Sequence, residues 1–115
     1  MTNKLRLVIN NNFDKKEVFF IKKELRSILN LYAQKVSLGD WKDYGLSINK
    51  KEVTFDIYQR SSDKPIYRIL KNLNPKRKDE KFYILDRNGF IVKKSENLDS
   101  LIKKVEWNLS LIHIS

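Results

Sequence analysis

Few side chains in this sequence could perform covalent chemistry. There is no cysteine, so thiolate nucleophiles, thiolate metal sites and disulfides are excluded. His113 is the single histidine and lies in an apolar stretch near the end of the chain. A general base has to sit within hydrogen-bond reach of the proton it takes, and one histidine without cysteine cannot assemble a zinc site or a Cys–His pair. The three glycines, Gly39, Gly45 and Gly89, are scattered, and none belongs to a phosphate-cradling loop. Asp40 and Asp43, flanking Trp41, are the remaining acid–base option. Beside a helix end, however, such carboxylates are better placed to accept from backbone N–H groups. The expectation is a non-enzyme with no cofactor and no metal.

The basic residues are the more informative set. Lysine and arginine number 24 against 14 acidic residues, for a net charge of +10 and a pI near 9.8. That balance favours polyanionic partners: RNA, DNA or a ribonucleoprotein. Eighteen of the cations are lysines and six are arginines. Lysine acts on phosphate as a point charge, whereas arginine offers a bidentate fork, so contacts of this composition give affinity without sequence readout. The densest group is Lys71, Lys76, Arg77, Lys78 and Lys81, around Asn74-Pro75. Lys93 and Lys94 join it as candidate nucleic-acid contacts, while the pairs Lys22-Lys23, Lys50-Lys51 and Lys103-Lys104 read as solvated faces. Tyr58, Tyr67 and Tyr83 could form a stacking surface for unpaired bases with Arg60 or Arg68. Tyrosines packed under a helix with their hydroxyls at the rim are the alternative.

The elements that must carry these residues follow from periodicity. Asp14 and Glu17 read as a capping box, with Phe13 and Val18 as its staple. Val18, Ile21, Leu25, Ile28, Leu29, Tyr32 and Val36 then share one helical face as far as Gly39, so a helix is expected from about Lys15 to Leu38. On this reading Phe13-Asp-Lys-Lys-Glu-Val and Phe20-Ile-Lys-Lys-Glu-Leu are successive parts of one helix. Strands follow at Asp43–Ile48, Glu52–Arg60, Ile66–Lys71, Lys81–Asp86 and Phe90–Lys93, with Asn88-Gly89 supplying a tight turn. The third and fourth strands are apolar on both faces, which calls for cover from two helices or from a partner subunit. A second helix starts at the N-cap Asn97 and buries Leu98, Leu101, Ile102, Val105 and Leu109. The apolar end, from Trp107 to Ile114, is expected to dock on this subunit or on another copy.

The fold class is therefore α+β: a long N-terminal helix, an antiparallel sheet of four to five strands and a C-terminal helix. Residues 1–12 are a tail or a short edge strand, and 13–115 form a single domain. No apolar run is long enough to span a membrane, and the start lacks the apolar core of a signal peptide, so the cytoplasm is the default compartment. Two functional classes fit: a nucleic-acid or ribonucleoprotein binding module, and a protein-interaction or homodimeric module without catalytic activity.

Three segments also carry a family resemblance. They are Glu24 to Tyr32 followed by Gly39-Asp40-Trp41-Lys42-Asp43-Tyr44, then Phe55 to Ile69, then Gly89 to Lys94 with Asn97-Leu98. Together they resemble domain of unknown function family 2794, a group of small alphaproteobacterial proteins. The resemblance implies the fold and a bacterial cytoplasmic setting, and no activity. It also marks Trp41, Asp43, Tyr44, Arg60, Tyr67 and Arg68 as one structural or interaction cluster at the helix–sheet junction, with Arg60 or Arg68 pairing with Asp43. The chain has Ile21 where the family has Asp, which is consistent with a cap moved upstream to Asp14.

Overall fold

A computed structural model describes residues 19–60 and 64–107. Helix α1 spans Lys22–Ser37, not Lys15 to Leu38, because the backbone breaks at Ile21. Ile21 is the N-cap, with φ −76° and ψ 166°, and its side chain has no oxygen to cap with. Glu24 supplies the one available half of a capping box, its Oε1 accepting from the Ile21 N–H at 2.9 Å. Just upstream, Phe20 is buried in the core and the Phe19 carbonyl accepts from Lys71 Nζ at 3.0 Å. A helix running continuously through Phe19, Phe20 and Ile21 is therefore ruled out. The Asp14–Glu17 box and the expected strand or tail at 1–12 lie outside the described residues. At the other end Gly39, at φ 83°, donates to the Val36 carbonyl and closes the helix.

Five antiparallel strands follow as a meander in the order β1-β2-β3-β4-β5: Asp43–Ile48, Glu52–Tyr58, Tyr67–Asn72, Phe82–Asp86 and Ile91–Ser95. The turn into β5 is set by Asp86, whose Oδ1 accepts from the Asn88 and Phe90 N–H groups at 2.9 and 3.0 Å, and by Gly89 at φ 86°. Register fixes the two faces. Phe55 lies across from Ile69 and Ile69 from Ile84, and the next row joins Val53, Lys71 and Phe82. These residues meet Leu25, Ile28 and Leu31 of α1 and Leu98, Leu101 and Ile102 of α2 (Leu98–Lys104) in one core. Asn97 caps α2 as its residue type suggests, its Oδ1 accepting from the Ser100 N–H at 2.8 Å. Val105 is buried but already extended, so it ends the helix rather than continuing its stripe.

Both described helices therefore cover the same face, so of the two expected covers, two helices or a partner subunit, the described residues do not show the first. On the opposite face Leu70 is buried, yet it is not part of the core cluster. Its cross-strand neighbours there are Thr54 and Tyr83. The helical stripe also shifts from the expected one. Leu31 and Lys35 face inward, whereas Ile21 and Val36 are each 40% exposed.

One core position is held by a charge. The Lys71 side chain is 2% exposed, and its Nζ lies 2.9 Å from Glu24 Oε1, the same oxygen that caps α1. Lys71→Met leaves the buried Glu24 carboxylate without its ammonium. A loss of about 3 kcal/mol in urea unfolding is expected, typical of orphaning one half of a buried pair. The double variant K71M/E24Q should recover a large part of that loss. Equal destabilisation in both would mean that packing, not the pair, sets the cost.

Candidate nucleic-acid interface

Strand directions bring the β1–β2 turn, the β3–β4 loop and the end of β5 to one end of the sheet. Asn49 shapes the turn, its Oδ1 accepting from the Lys51 and Glu52 N–H groups. The Lys51 carbonyl accepts from the Leu73 N–H at 2.9 Å, tying the turn to the neighbouring loop. Within that loop the Asn72 N–H donates to the Lys81 carbonyl, and Lys78–Glu80 form a 3-10 turn. Asp79 holds the loop against β5, with Arg77 Nε at 3.5 Å and Lys94 Nζ at 3.9 Å. Lys50, Lys51, Lys76, Arg77, Lys78, Lys81 and Lys94 thus share one end with Glu52, Asp79 and Glu80. Lys76 and Lys78 are exposed and lack a carboxylate partner among the described residues. Lys81 places its ammonium 5.5 Å from the Phe82 ring.

Two of the expected basic contacts lie elsewhere. Lys71 is in the core, paired with Glu24, so it offers nothing to a surface ligand. The spacing held the signal: Lys71 has the parity of Tyr67 and Ile69, the inward residues of β3. Lys93 is exposed but belongs to the helix-covered face, across from Ile84, whereas Lys94 lies across from Tyr83 on the other face. The three-tyrosine platform does not form. Tyr67 points into the core, while Tyr58 and Tyr83 lie on the opposite face, on different strands.

At the other end of the sheet the cluster marked by the family resemblance divides in two. Trp41 is buried, with ring contacts to Tyr32, Tyr67 and Trp107 at centroid distances of 6.2, 6.4 and 5.5 Å. Tyr44 stacks on Phe55 at 5.0 Å and meets Tyr32 edge-on at 5.1 Å. Trp107 also packs on Tyr67 at 4.9 Å, and its Nε1 donates to the Ile102 carbonyl. The start of the apolar C-terminal stretch therefore docks on its own chain, while residues 108–115 lie outside the described ones. Asp43 accepts from the Tyr44 N–H at 2.8 Å, and Asp40 lies 3.9 Å from the buried Lys35. Neither arginine pairs with Asp43. Arg60 lies beyond the end of β2 and is exposed, and Arg68 is on the far face, 3.5 Å from Asp56. The partners Glu24 and Asp56 went unmarked in the sequence, since only the register reveals what faces them.

Burial, reinforced by the Asp43 carboxylate, raises the pKa of Tyr32 and Tyr44 above the ordinary value of 10.0. The unfolded chain then loses these protons first. Stability from this source is full below pH 10 and falls as pH rises through the raised values. Ultraviolet titration should show a late-ionising tyrosine class that Asp43→Asn brings partway back toward the ordinary value. Five tyrosines ionising together would refute this.

No curated protein and no solved structure matches the chain. A family model described as a protein of unknown function (DUF2794) matches residues 18–102. The match runs from the Phe20 anchor through α1 and the whole sheet into α2, and so includes both the basic end and most of the aromatic junction. The chain is a member of the DUF2794 family.

Proposed function

We propose that this protein is a non-catalytic binding module whose basic end contacts the phosphate backbone of nucleic acid, either free or within a ribonucleoprotein. The observation that carries the reading is the convergence of Lys50, Lys51, Lys76, Arg77, Lys78, Lys81 and Lys94 from three segments joined by the Leu73–Lys51 hydrogen bond and by Asp79. Distance along the chain does not bring these cations together; the meander does. A lysine-dominated surface neutralises phosphates and releases counterions, so binding should be insensitive to sequence and weaken steeply with salt. Lys76, Arg77 and Lys78 are exposed there, so their charge can be changed without removing a core side chain.

Mobility shifts with RNA and DNA across a salt series test this. Log affinity should fall linearly with log salt, and the triple variant K76A/R77A/K78A should reduce the slope by roughly two to three. No binding at the lowest salt, where a counterion-driven contact is strongest, would end the proposal.

A second reading, a protein-interaction or homodimeric module, has one observation behind it. Phe90, just before edge strand β5, and Ile91 and Val92 within it are 68%, 53% and 42% exposed. The bulge where Ile84 pairs with Lys93 but Leu85 with Ile91, together with Lys93 and Lys94, blunts backbone pairing there. A contact at this edge would therefore run through side chains. Light scattering showing a dimer that Ile91→Lys dissolves favours this reading. A monomer at every concentration rejects self-association.

A further inference from the structure

We infer that the cleft between Lys64-Pro65, which lead into β3, and the β4–β5 turn is an anion site that takes a phosphate group. The cleft has a volume of about 310 Å³, and Lys64, Arg68 and Arg87 line it with Asp86 and the Asn88-Gly89 turn. It lies at the end of the sheet opposite the Lys76–Lys81 loop, because β3 runs from Tyr67 at the cleft to Asn72 at that loop. The inference therefore does not rest on the nucleic-acid reading.

Arg68 is the centre of the argument. It lies directly across from Asp56, on the sheet face that the helices leave uncovered. Asp56 is 6% exposed, and its Oδ2 is 3.4 Å from Ser47 Oγ. Its Oδ1 accepts no hydrogen bond among the described residues and has Arg68 Nε 3.5 Å away as its counter-charge. The charge of this buried carboxylate draws the guanidinium from its inner side. Arg68 nevertheless remains 48% exposed. The side chain lines the cleft, so with Nε beside Asp56 its two terminal nitrogens are the donors left for a ligand. A guanidinium held from behind and open in front is prepared for bidentate contact with an oxyanion.

The other charges in the lining support the same ligand. Asp86 Oδ1 is occupied by the Asn88 and Phe90 N–H groups, an arrangement that shapes the turn. Lys64 and Arg87 are exposed and have no carboxylate partner among the described residues. Three cations from three separate segments thus line one space against the single carboxylate of Asp86, so the lining carries a net positive charge. A carboxylate ligand presents its two oxygens in one plane and carries a single charge, a poorer match to cations that come from three segments. A phosphate group presents oxygens in several directions and carries more charge.

The test is an amide chemical-shift titration of the full chain with inorganic phosphate at low, constant ionic strength. Saturable shifts are expected at Lys64, Arg68, Arg87, Asn88 and Gly89, with the Lys76–Lys81 loop unaffected. The variant K64A/R87A, at two exposed positions, should weaken binding roughly tenfold or more, and Arg68→Lys, which keeps the charge but loses the fork, by about tenfold. Shifts that do not saturate, that spread over the lysine surface, or that are the same in K64A/R87A overturn the site. Substituting Lys76, Arg77 and Lys78 must leave the phosphate titration intact, so that the two readings fail separately. The source of the phosphate is read by competition. Displacement of inorganic phosphate by a nucleoside monophosphate assigns a small molecule. Tighter binding of a 5′-phosphorylated than a 5′-hydroxyl RNA, lost in R68K, assigns a nucleic-acid end. Failure of both to compete also overturns the site.

Discussion

The Lys71–Glu24 pair is the constraint on which the arrangement of helix and sheet depends. A charged amine inside a core costs several kcal/mol unless a counter-charge and further acceptors meet it. Here Glu24 provides the counter-charge at 2.9 Å and the Phe19 carbonyl a second acceptor at 3.0 Å. Both partners sit at the start of α1, and Lys71 sits in the middle strand of five. The helix can therefore neither slide along its axis nor begin a turn earlier without abandoning a buried charge. Glu24 performs two tasks with one oxygen, since it also accepts from the Ile21 N–H where the cap side chain cannot. That dual role explains how an isoleucine is tolerated at an N-cap, a position that favours Asp, Asn, Ser or Thr.

The far end of α1 is fixed by different means. Lys35 is buried near Asp40, and its carbonyl accepts from the Asp40 N–H, which turns the chain back toward the sheet. Trp41 then enters a cluster with Tyr32, Tyr67 and Trp107, in which tilted and edge-on contacts suit the ring quadrupoles. Trp107 adds the last piece from beyond α2, and its indole N–H is satisfied by the Ile102 carbonyl. An ion pair at one end and an aromatic cluster at the other thus clamp a single helix along the strands. Between them the helix itself contributes aliphatic side chains, Leu25, Ile28 and Leu31, to the core.

Much of this was legible in the sequence, and the exceptions share one cause. The strand expected at Glu52–Arg60, the Asn88-Gly89 turn and the Asn97 cap were recognisable from residue type and pattern alone. All of these are local features. What escaped was pairing between strands and between layers. Tyr67 looked equivalent to Tyr58 and Tyr83 until register set it across from Ile57 on the core face. Arg68 seemed available to Asp43, but the pairing of β2 with β3 gave it Asp56. The helix start was misplaced because the Asp14–Glu17 box is the stronger local signal. The true start uses Ile21 and Glu24, the same pair of positions in the second copy of the Phe-x-Lys-Lys-Glu repeat, and it is held by a lysine 47 residues away. No window of sequence contains that contact.

The same distinction bears on the charge. A lysine-rich composition spreads cations along the whole chain, and composition alone cannot separate a functional surface from a solvated one. The fold sorts them. Lys35 and Lys71 are withdrawn into the interior and paired. Lys103 lies 3.3 Å from Asp99 on an exposed helical turn, where such pairs contribute little. What remains concentrated is the end built by the β1–β2 turn and the β3–β4 loop. There Asp79 lies against both Arg77 and Lys94, while Lys76 and Lys78 are exposed and have no carboxylate partner among the described residues. Like charges gathered on separate segments repel in the absence of an anion, and backbone bonds such as Leu73 to Lys51 have to hold them together. Holding the cations in place before any ligand arrives would lower the ordering cost of the phosphate contact we propose, and the hydrogen bonds that shape these loops are what does the holding.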